Sequence, residues 1–261
     1  MIQTGFTRLE RYELKYHVPL DILPALDAFL APWCELDPAS ARTEGNFYWI
    51  TSLYLDSPRY TLLRWGAAKP DGRFNMRIRA YGEHPENASS WHFEIKEKAC
   101  DQVTKLRGVL KDGTPNLLWD ETAHVLSLAG GEDKENLRKF IHRSLSYNTH
   151  PVLLTQYRRK AWFGRMEDYA RVTLDIGMRW REERGFDFSV DPRDMRPSDL
   201  PERFDPGCNA VIELKCARDR IPVWMVDLIR RFDLVRSGFS KFESAGVGLL
   251  MLPGGRRLAR D

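Results

Sequence analysis

Two short segments, Phe74 to Tyr81 and Trp91 to Lys98, constrain what this chain can become, because both alternate between apolar and polar or charged residues. Successive side chains on a strand point to opposite faces. Asn75, Arg77, Arg79 and Tyr81 therefore share one face, and Phe74, Met76, Ile78 and Ala80 the other. His92, Glu94, Lys96 and Lys98 oppose Trp91, Phe93 and Ile95 in the same way. The two segments read as one hairpin with an apolar side and an ionic side. A half-solvated antiparallel sheet explains a single hairpin of this kind. The pattern recurs, however, in Arg11 to Val18, in Arg171 to Ile176 and in Val211 to Lys215. E-x-K pairs stand at Glu13/Lys15, Glu94/Lys96 and Glu213/Lys215, joined by Lys105, Arg107 and the Tyr157-Arg158-Arg159 run. Charge dominates faces where Ser, Thr, Asn and Gln would serve solvation equally well.

The totals set limits around this pattern. A chain of 261 residues, 43% hydrophobic and 30% charged, can bury a substantial core. Its formal net charge of +3 and lack of a long basic block argue against nucleic acid as a partner, and Arg256, Arg257 and Arg260 read as a frayed tail. Cys34, Cys100, Cys208 and Cys216 show no C-x-x-C pair and no zinc-like spacing with the histidines, so they read as reduced thiols. No signal-peptide core and no stretch of about 18 apolar residues occurs. The expectation is a cytoplasmic protein with no membrane segment of its own.

In order, strands are predicted over Leu9 to Val18, Asn46 to Asp56, the central hairpin, Thr104 to Leu110, Pro151 to Phe163, Tyr169 to Ile176 and Ala210 to Cys216, with a short one near Phe186 to Val190. Helical stripes appear at Leu23, Leu26, Phe29 and Leu30, and at Trp224, Leu228, Ile229, Phe232 and Val235, the latter ended by Gly238. Ser57-Pro58 predicts a capped helix through Arg64, terminated by Gly66. Residues 115–148 read as a helical insertion within one domain spanning 1–261, with a short disordered tail from about 253. Strands with one apolar face and helices with apolar stripes suggest an α+β fold: a closed eight-stranded antiparallel β-barrel with helices packed outside and ionic faces turned inward. Its lumen would hold Lys15, Arg77, Arg79, Lys96, Lys105, Arg107, Arg159, Arg171 and Lys215 against Glu13, Glu94, Asp175 and Glu213. Such crowded cations call for a polyanion, and phosphate fits guanidinium forks. The leftover carboxylates would then hold Mg²⁺ or Mn²⁺ bridging phosphate oxygens.

Arg11-Tyr12-Glu13-Leu14-Lys15-Tyr16, Ser52-Leu53-Tyr54-Leu55-Asp56-Ser57, Arg77-Ile78-Arg79-Ala80-Tyr81, Glu94-Ile95-Lys96, Lys105-Leu106-Arg107, Tyr157-Arg158-Arg159, Arg171-Val172-Thr173-Leu174-Asp175, Glu213-Leu214-Lys215 and Phe239-Ser240-Lys241-Phe242 stand in this order. The series resembles the VTC domain, the polyphosphate polymerase branch of the triphosphate tunnel metalloenzymes, over residues 8 to about 250. Position 11 is Arg, so the E-x-E-x-K form of the wider superfamily is absent and the shorter form of this branch is present. The resemblance implies a triphosphate tunnel fold, a nucleoside triphosphate donor and a polyphosphate product. It places phosphate-binding residues at Lys15, Arg77, Arg79, Lys96, Lys105, Arg159, Arg171 and Lys241, a phosphate-bonding tyrosine at Tyr157, and metal binding at Glu213 with Glu13 as a further candidate. Arg107, Lys215 and Ser240 complete the expected phosphate contacts. Tyr157 also reads as a core tyrosine, and Ser240-Lys241 as a helix start.

The expected activity is a metal-dependent ATP:polyphosphate phosphotransferase, with polyphosphate or pyrophosphate as partner anions and Arg77, Arg79, Lys96, Arg159 and Arg171 as the catalytic cations. Alternatives are a tripolyphosphatase or nucleoside triphosphatase, and a polyphosphate-binding module without turnover. Any membrane or transport partner is left open. No adenine-reading motif stands out.

Overall fold

The computed structural model describes residues 11–99, 102–198, 208–218 and 220–250. In chain order it runs β1 (Arg11–Val18), α1 (Leu23–Leu30), β2 (Cys34–Leu36), α2 (Pro38–Ala41), β3 (Tyr48–Asp56), α3 (Thr61–Ala68), β4 (Arg73–Tyr81), β5 (Ser90–Ala99), β6 (Gln102–Lys111), α4 (Leu117–Asp120), α5 (Thr122–Leu128), α6 (Gly131–Ser146), β7 (His150–Gly164), β8 (Arg171–Glu182), β9 (Arg196–Pro197), β10 (Ala210–Ala217), α7 (Val223–Arg231) and α8 (Lys241–Leu250). The described residues group into two compact units, one within 11–47, 159–176 and 208–238, the other within 48–158, 177–198 and 239–250. The N-terminal segment, Cys100 and the arginine tail lie outside the described residues.

In the first unit β1 pairs antiparallel with β10, setting Lys15 opposite Glu213 and Glu13 opposite Lys215. β10 in turn pairs with β8, setting Glu213 opposite Thr173 and Lys215 opposite Arg171. The alternate residues Tyr16, Val172, Leu174, Ile212 and Leu214 are buried with Leu26 and Leu30 of α1 and Trp224, Met225 and Leu228 of α7. α7 stops at Arg231 rather than running on to Gly238. Val235, expected on its apolar stripe, is exposed.

In the second unit β3, β4, β5 and β6 form consecutive antiparallel ladders. Their apolar residues, among them Leu53, Leu55, Met76, Ile78, Phe93 and Ile95, are buried in one core with Leu137 and Phe140 of α6 and Leu62 and Leu63 of α3. A Cβ on Gly108 would meet the Leu137 backbone nitrogen at 2.8 Å, so this glycine lets α6 lie flush on β6. α3 begins at Thr61, later than the Ser57-Pro58 signal suggests. Asp56 accepts the backbone N–H groups of Ser57, Leu62 and Leu63, and Ser57 Oγ accepts that of Thr61, so both side chains cap the helix start from outside it. The helix runs through Gly66, where a Cβ would collide with Glu243 of α8 at 2.7 Å.

Two further expectations are corrected. The fold is α+β with antiparallel ladders and packed helices, but among the described pairings β1 has only β10 as a ladder neighbour and β6 only β5, so the closed eight-stranded barrel is not formed. The free side of β6 is met by a helix instead. Asp133 of α6 accepts the Val109 N–H at 3.0 Å, and Asn136 Nδ2 donates to the Arg107 carbonyl at 2.7 Å, satisfying backbone groups that another strand would otherwise take. Phe186 to Val190 is not a strand, because Asp187 turns the chain by accepting from the Ser189 N–H and hydroxyl. The strand partner there is β9, pairing with Arg179 and Trp180. No helix among the described residues is long and apolar enough to cross a membrane.

Candidate functional site

The ladders of the second unit bring ionic residues into rows. Tyr54 pairs with Arg77, Arg77 with Glu94 and Glu94 with Arg107, while the neighbouring rows hold Ser52, Arg79 and His92, and Asn75, Lys96 and Lys105. Glu94 is the hub, 1% exposed. One of its oxygens accepts Arg77 Nε at 2.8 Å and stands 2.7 Å from Arg77 Nη2 and 3.9 Å from Arg79. The other accepts Arg107 Nε at 2.8 Å and stands 2.6 Å from Arg107 Nη2 and 2.8 Å from Lys105 Nζ. Burial would raise its pKa, but Arg77, Arg79, Lys105 and Arg107 together hold the carboxyl well below the usual carboxylate range. Four cations thus share one carboxylate.

That imbalance shows on Lys105. Its side chain is 41% exposed, yet desolvation, partly offset by Glu94 and reinforced by Arg77, Arg79 and Arg107, pushes its ammonium down to about 7. Between about pH 7 and the ordinary 10.5 the native protein then binds fewer protons here than the unfolded chain, so this group favours the fold increasingly as pH rises through that window. A bound polyanion would favour the charged form. Tripolyphosphate binding at pH 8 is expected to take up a proton and to weaken as pH rises. Calorimetry in two buffers of different ionisation enthalpy reads this directly; identical apparent enthalpies would mean that Lys105 is already charged.

Around the hub, Arg77 Nη1 donates to the Tyr54 hydroxyl at 3.3 Å and Arg79 Nε to Ser52 Oγ at 3.5 Å. Tyr54 stacks on Phe242 of α8 with ring centroids 4.7 Å apart. Tyr157 is 1% exposed, and the Lys241 ammonium lies 4.4 Å from its ring centroid. Ser240 Oγ accepts the Glu243 N–H at 3.3 Å, so it caps α8 while presenting Lys241. Both plain readings of the sequence, a core tyrosine and a helix start, therefore hold, and the tyrosine also supports a lysine. Ser52 and Tyr54 were legible as strand residues in phase with Asp56; weighing charge alone hid their service to the arginines.

The first unit holds the remaining expected residues, with cations and carboxylates more nearly matched. Arg159 grips Asp175 with two bonds of 2.6 and 2.8 Å, and its Nη2 lies 4.0 Å from Glu213. Lys215 stands 3.6 Å from Glu213 and 4.0 Å from Glu13, and Lys15 faces Glu213 in register. Arg171 bonds Asp37 at 2.8 Å and lies over the Phe163 ring. Asp37, in the link between β2 and α2, carries no periodic signal that sequence reading could have used. Arg171 Nε and Thr173 Oγ1 are buried without a hydrogen-bond partner. Leaving such groups unmet costs about 1–3 kcal/mol each.

Glu94 and Asp175, grouped by the sequence with the carboxylates free to bind metal, are saturated by arginines and unsuited to that role. Among the described residues no three His, Cys, Asp or Glu side chains gather as a metal cage. Glu213 and Glu13 offer two carboxylates beside Lys215, with Arg159 also 4.0 Å from Glu213. That donor set fits a hard ion such as Mg²⁺ shared with substrate phosphates, which commonly uses one or two carboxylates, and does not fit an all-protein cage.

The ladders of an α+β domain here crowd arginines and lysines around too few carboxylates, an arrangement electrostatically suited to an anion. More particularly, residues 10–250 match the VTC domain, and the chain belongs to that family. A crystal structure named as a candidate adenylate cyclase from Bacillus halodurans shares the fold, with a TM-score of 0.50 at 14% identity over 88% of this chain and 94% of that one. The PH1819 protein from Pyrococcus horikoshii aligns at a TM-score of 0.44 and 14% identity, over 91% of this chain and 99% of its own. No curated protein matches significantly.

Proposed function

We propose that this protein transfers the γ-phosphoryl group of ATP to the end of a polyphosphate chain. The observation that carries the reading is the set of four cations around the single buried carboxylate of Glu94, a face whose excess positive charge suits a triphosphate. Membership of the VTC family supports the same chemistry, and on this reading Lys15, Lys96, Arg159, Arg171 and Lys241 are further phosphate contacts.

In the reaction a terminal oxygen of the chain attacks the γ-phosphorus, a P–O–P bond forms, the β,γ-bridging bond breaks and ADP leaves. A terminal phosphate with a second pKa near 6 is largely dianionic at pH 7, so no general base is required. Catalysis then rests on alignment and charge neutralisation. Arg77 and Arg79 hold the donor phosphates through their forks, Lys105 and Arg107 neutralise charge alongside them, and Glu94 fixes the guanidinium planes. Glu213 and Glu13 would hold a divalent ion, Mg²⁺ or Mn²⁺, whose chemistry is further neutralisation of phosphate oxygens.

Purified protein incubated with ATP and Mn²⁺ is expected to yield ADP and an acid-stable phosphate polymer in step. Orthophosphate without polymer would make the protein a hydrolase, and tight polyphosphate binding without turnover would make it a binding module.

A further inference from the structure

The ionic face of the second unit changes character at one end. Following the strand phase of β4 from Arg77 through Arg79, the next residue on that face is Tyr81. Across the ladders stand Tyr48, with its ring centroid 6.4 Å from that of Tyr81, and His92, at 5.1 Å and nearly perpendicular. Burial and the neighbouring Arg107 push His92 down to about 4, so it is a neutral aromatic ring at physiological pH. Cross-strand aromatic pairs often serve only to steady a sheet. Here the central ring lies on the ionic side, away from the apolar core, and stays 37% exposed.

We propose that Tyr81, backed by Tyr48 and His92, is the stacking seat for the base of the nucleoside triphosphate whose phosphates lie on Arg79 and Arg77. The inference rests on the phosphotransferase reading above and adds to it the nucleoside end of the donor. Residues two apart on a strand are roughly 6.6 Å apart, so Tyr81, Arg79 and Arg77 form a graded track of aromatic ring followed by two guanidinium forks. This order matches a nucleotide, apolar and planar at one end and polyanionic at the other. A seat built on aromatic rings is tolerant of base identity, since every base has a π-face.

The experiment is titration of ATP, GTP and tripolyphosphate onto wild type and the Tyr81→Ala and Tyr81→Phe variants. Tyr81→Ala is expected to weaken both nucleotides about 10- to 100-fold. Tripolyphosphate should weaken far less, and to the same extent in Tyr81→Ala and Tyr81→Phe, because both lose the hydroxyl that bonds Arg79, while Tyr81→Phe should keep the nucleotide's advantage over tripolyphosphate, as stacking requires. Nucleotide affinity unchanged in Tyr81→Ala, or lost in equal measure with tripolyphosphate, overturns the seat and leaves the phosphate site standing. Wild type binding neither nucleotide nor tripolyphosphate overturns the phosphotransferase reading itself. A measurement on wild type alone covers a variant that fails to fold: 2-aminopurine riboside triphosphate should lose fluorescence on binding through stacking, and bright bound probe would refute the proposal.

Discussion

Replacing Glu94 by glutamine is expected to destabilise the protein by about 3–5 kcal/mol, because it removes the one buried negative charge that four cations, two of them half-exposed, share. Glutamine keeps the shape of the side chain and part of its hydrogen bonding, so the loss isolates charge from packing. With a chain of this size the melting temperature should fall on the order of 10 °C. Its pH dependence should change as well. The folded carboxyl titrates well below the ordinary 4.5, so its stabilisation is fully present above that value and is lost as pH falls below it. The variant lacks that acid-side decline. Tripolyphosphate should raise the melting temperature of Glu94→Gln more than that of wild type, since the anion then supplies the missing negative charge. A variant melting within 1 °C of wild type, with equal response to tripolyphosphate, would show that Glu94 is not the hub.

The sequence made the strands and their faces readable because alternation is a local signal. The pairing of Arg77 with Glu94 follows from two adjacent strands and a short loop, and the structure sets them in register. Allocation among neighbours was not readable. Glu94 was placed with carboxylates available to a metal, whereas it is engaged by Arg77, Lys105 and Arg107 from strands on both sides. Closure was misread for a related reason: what lies against the outer edge of β6 is decided by Asp133 and Asn136, over twenty residues further along on a helix. Phe186, Phe188 and Val190 imitate a strand because their alternation is real. Phe188 packs against Trp91 at 4.6 Å, yet Asp187 bends the backbone between them. Periodicity reports which side of a segment is buried, and the backbone hydrogen bonds that define a strand are settled elsewhere.

Arg77→Ala should separate catalysis from stability in the opposite sense to Glu94→Gln. Without Arg77, Glu94 keeps Arg107, Lys105 and the more distant Arg79, so the carboxylate stays compensated while repulsion among the cations falls. The melting temperature should therefore change little, within the range of about 1 kcal/mol. On the proposed activity, polymer synthesis should nonetheless drop on the order of a hundred- to a thousandfold, the usual loss of about 2.7–4 kcal/mol when one positioned donor to transition-state charge is removed. Arg77→Lys should recover only part of that loss, because an ammonium supplies charge without the planar fork that bonds Glu94 through Nε while leaving Nη1 directed at Tyr54. Rates of ADP release and polymer growth, measured beside thermal melts of the same preparations, decide the matter. If activity and melting temperature fell together in Arg77→Ala and recovered together in Arg77→Lys, Arg77 would be a brace for the sheet, and the transition-state role would pass to another cation of the face.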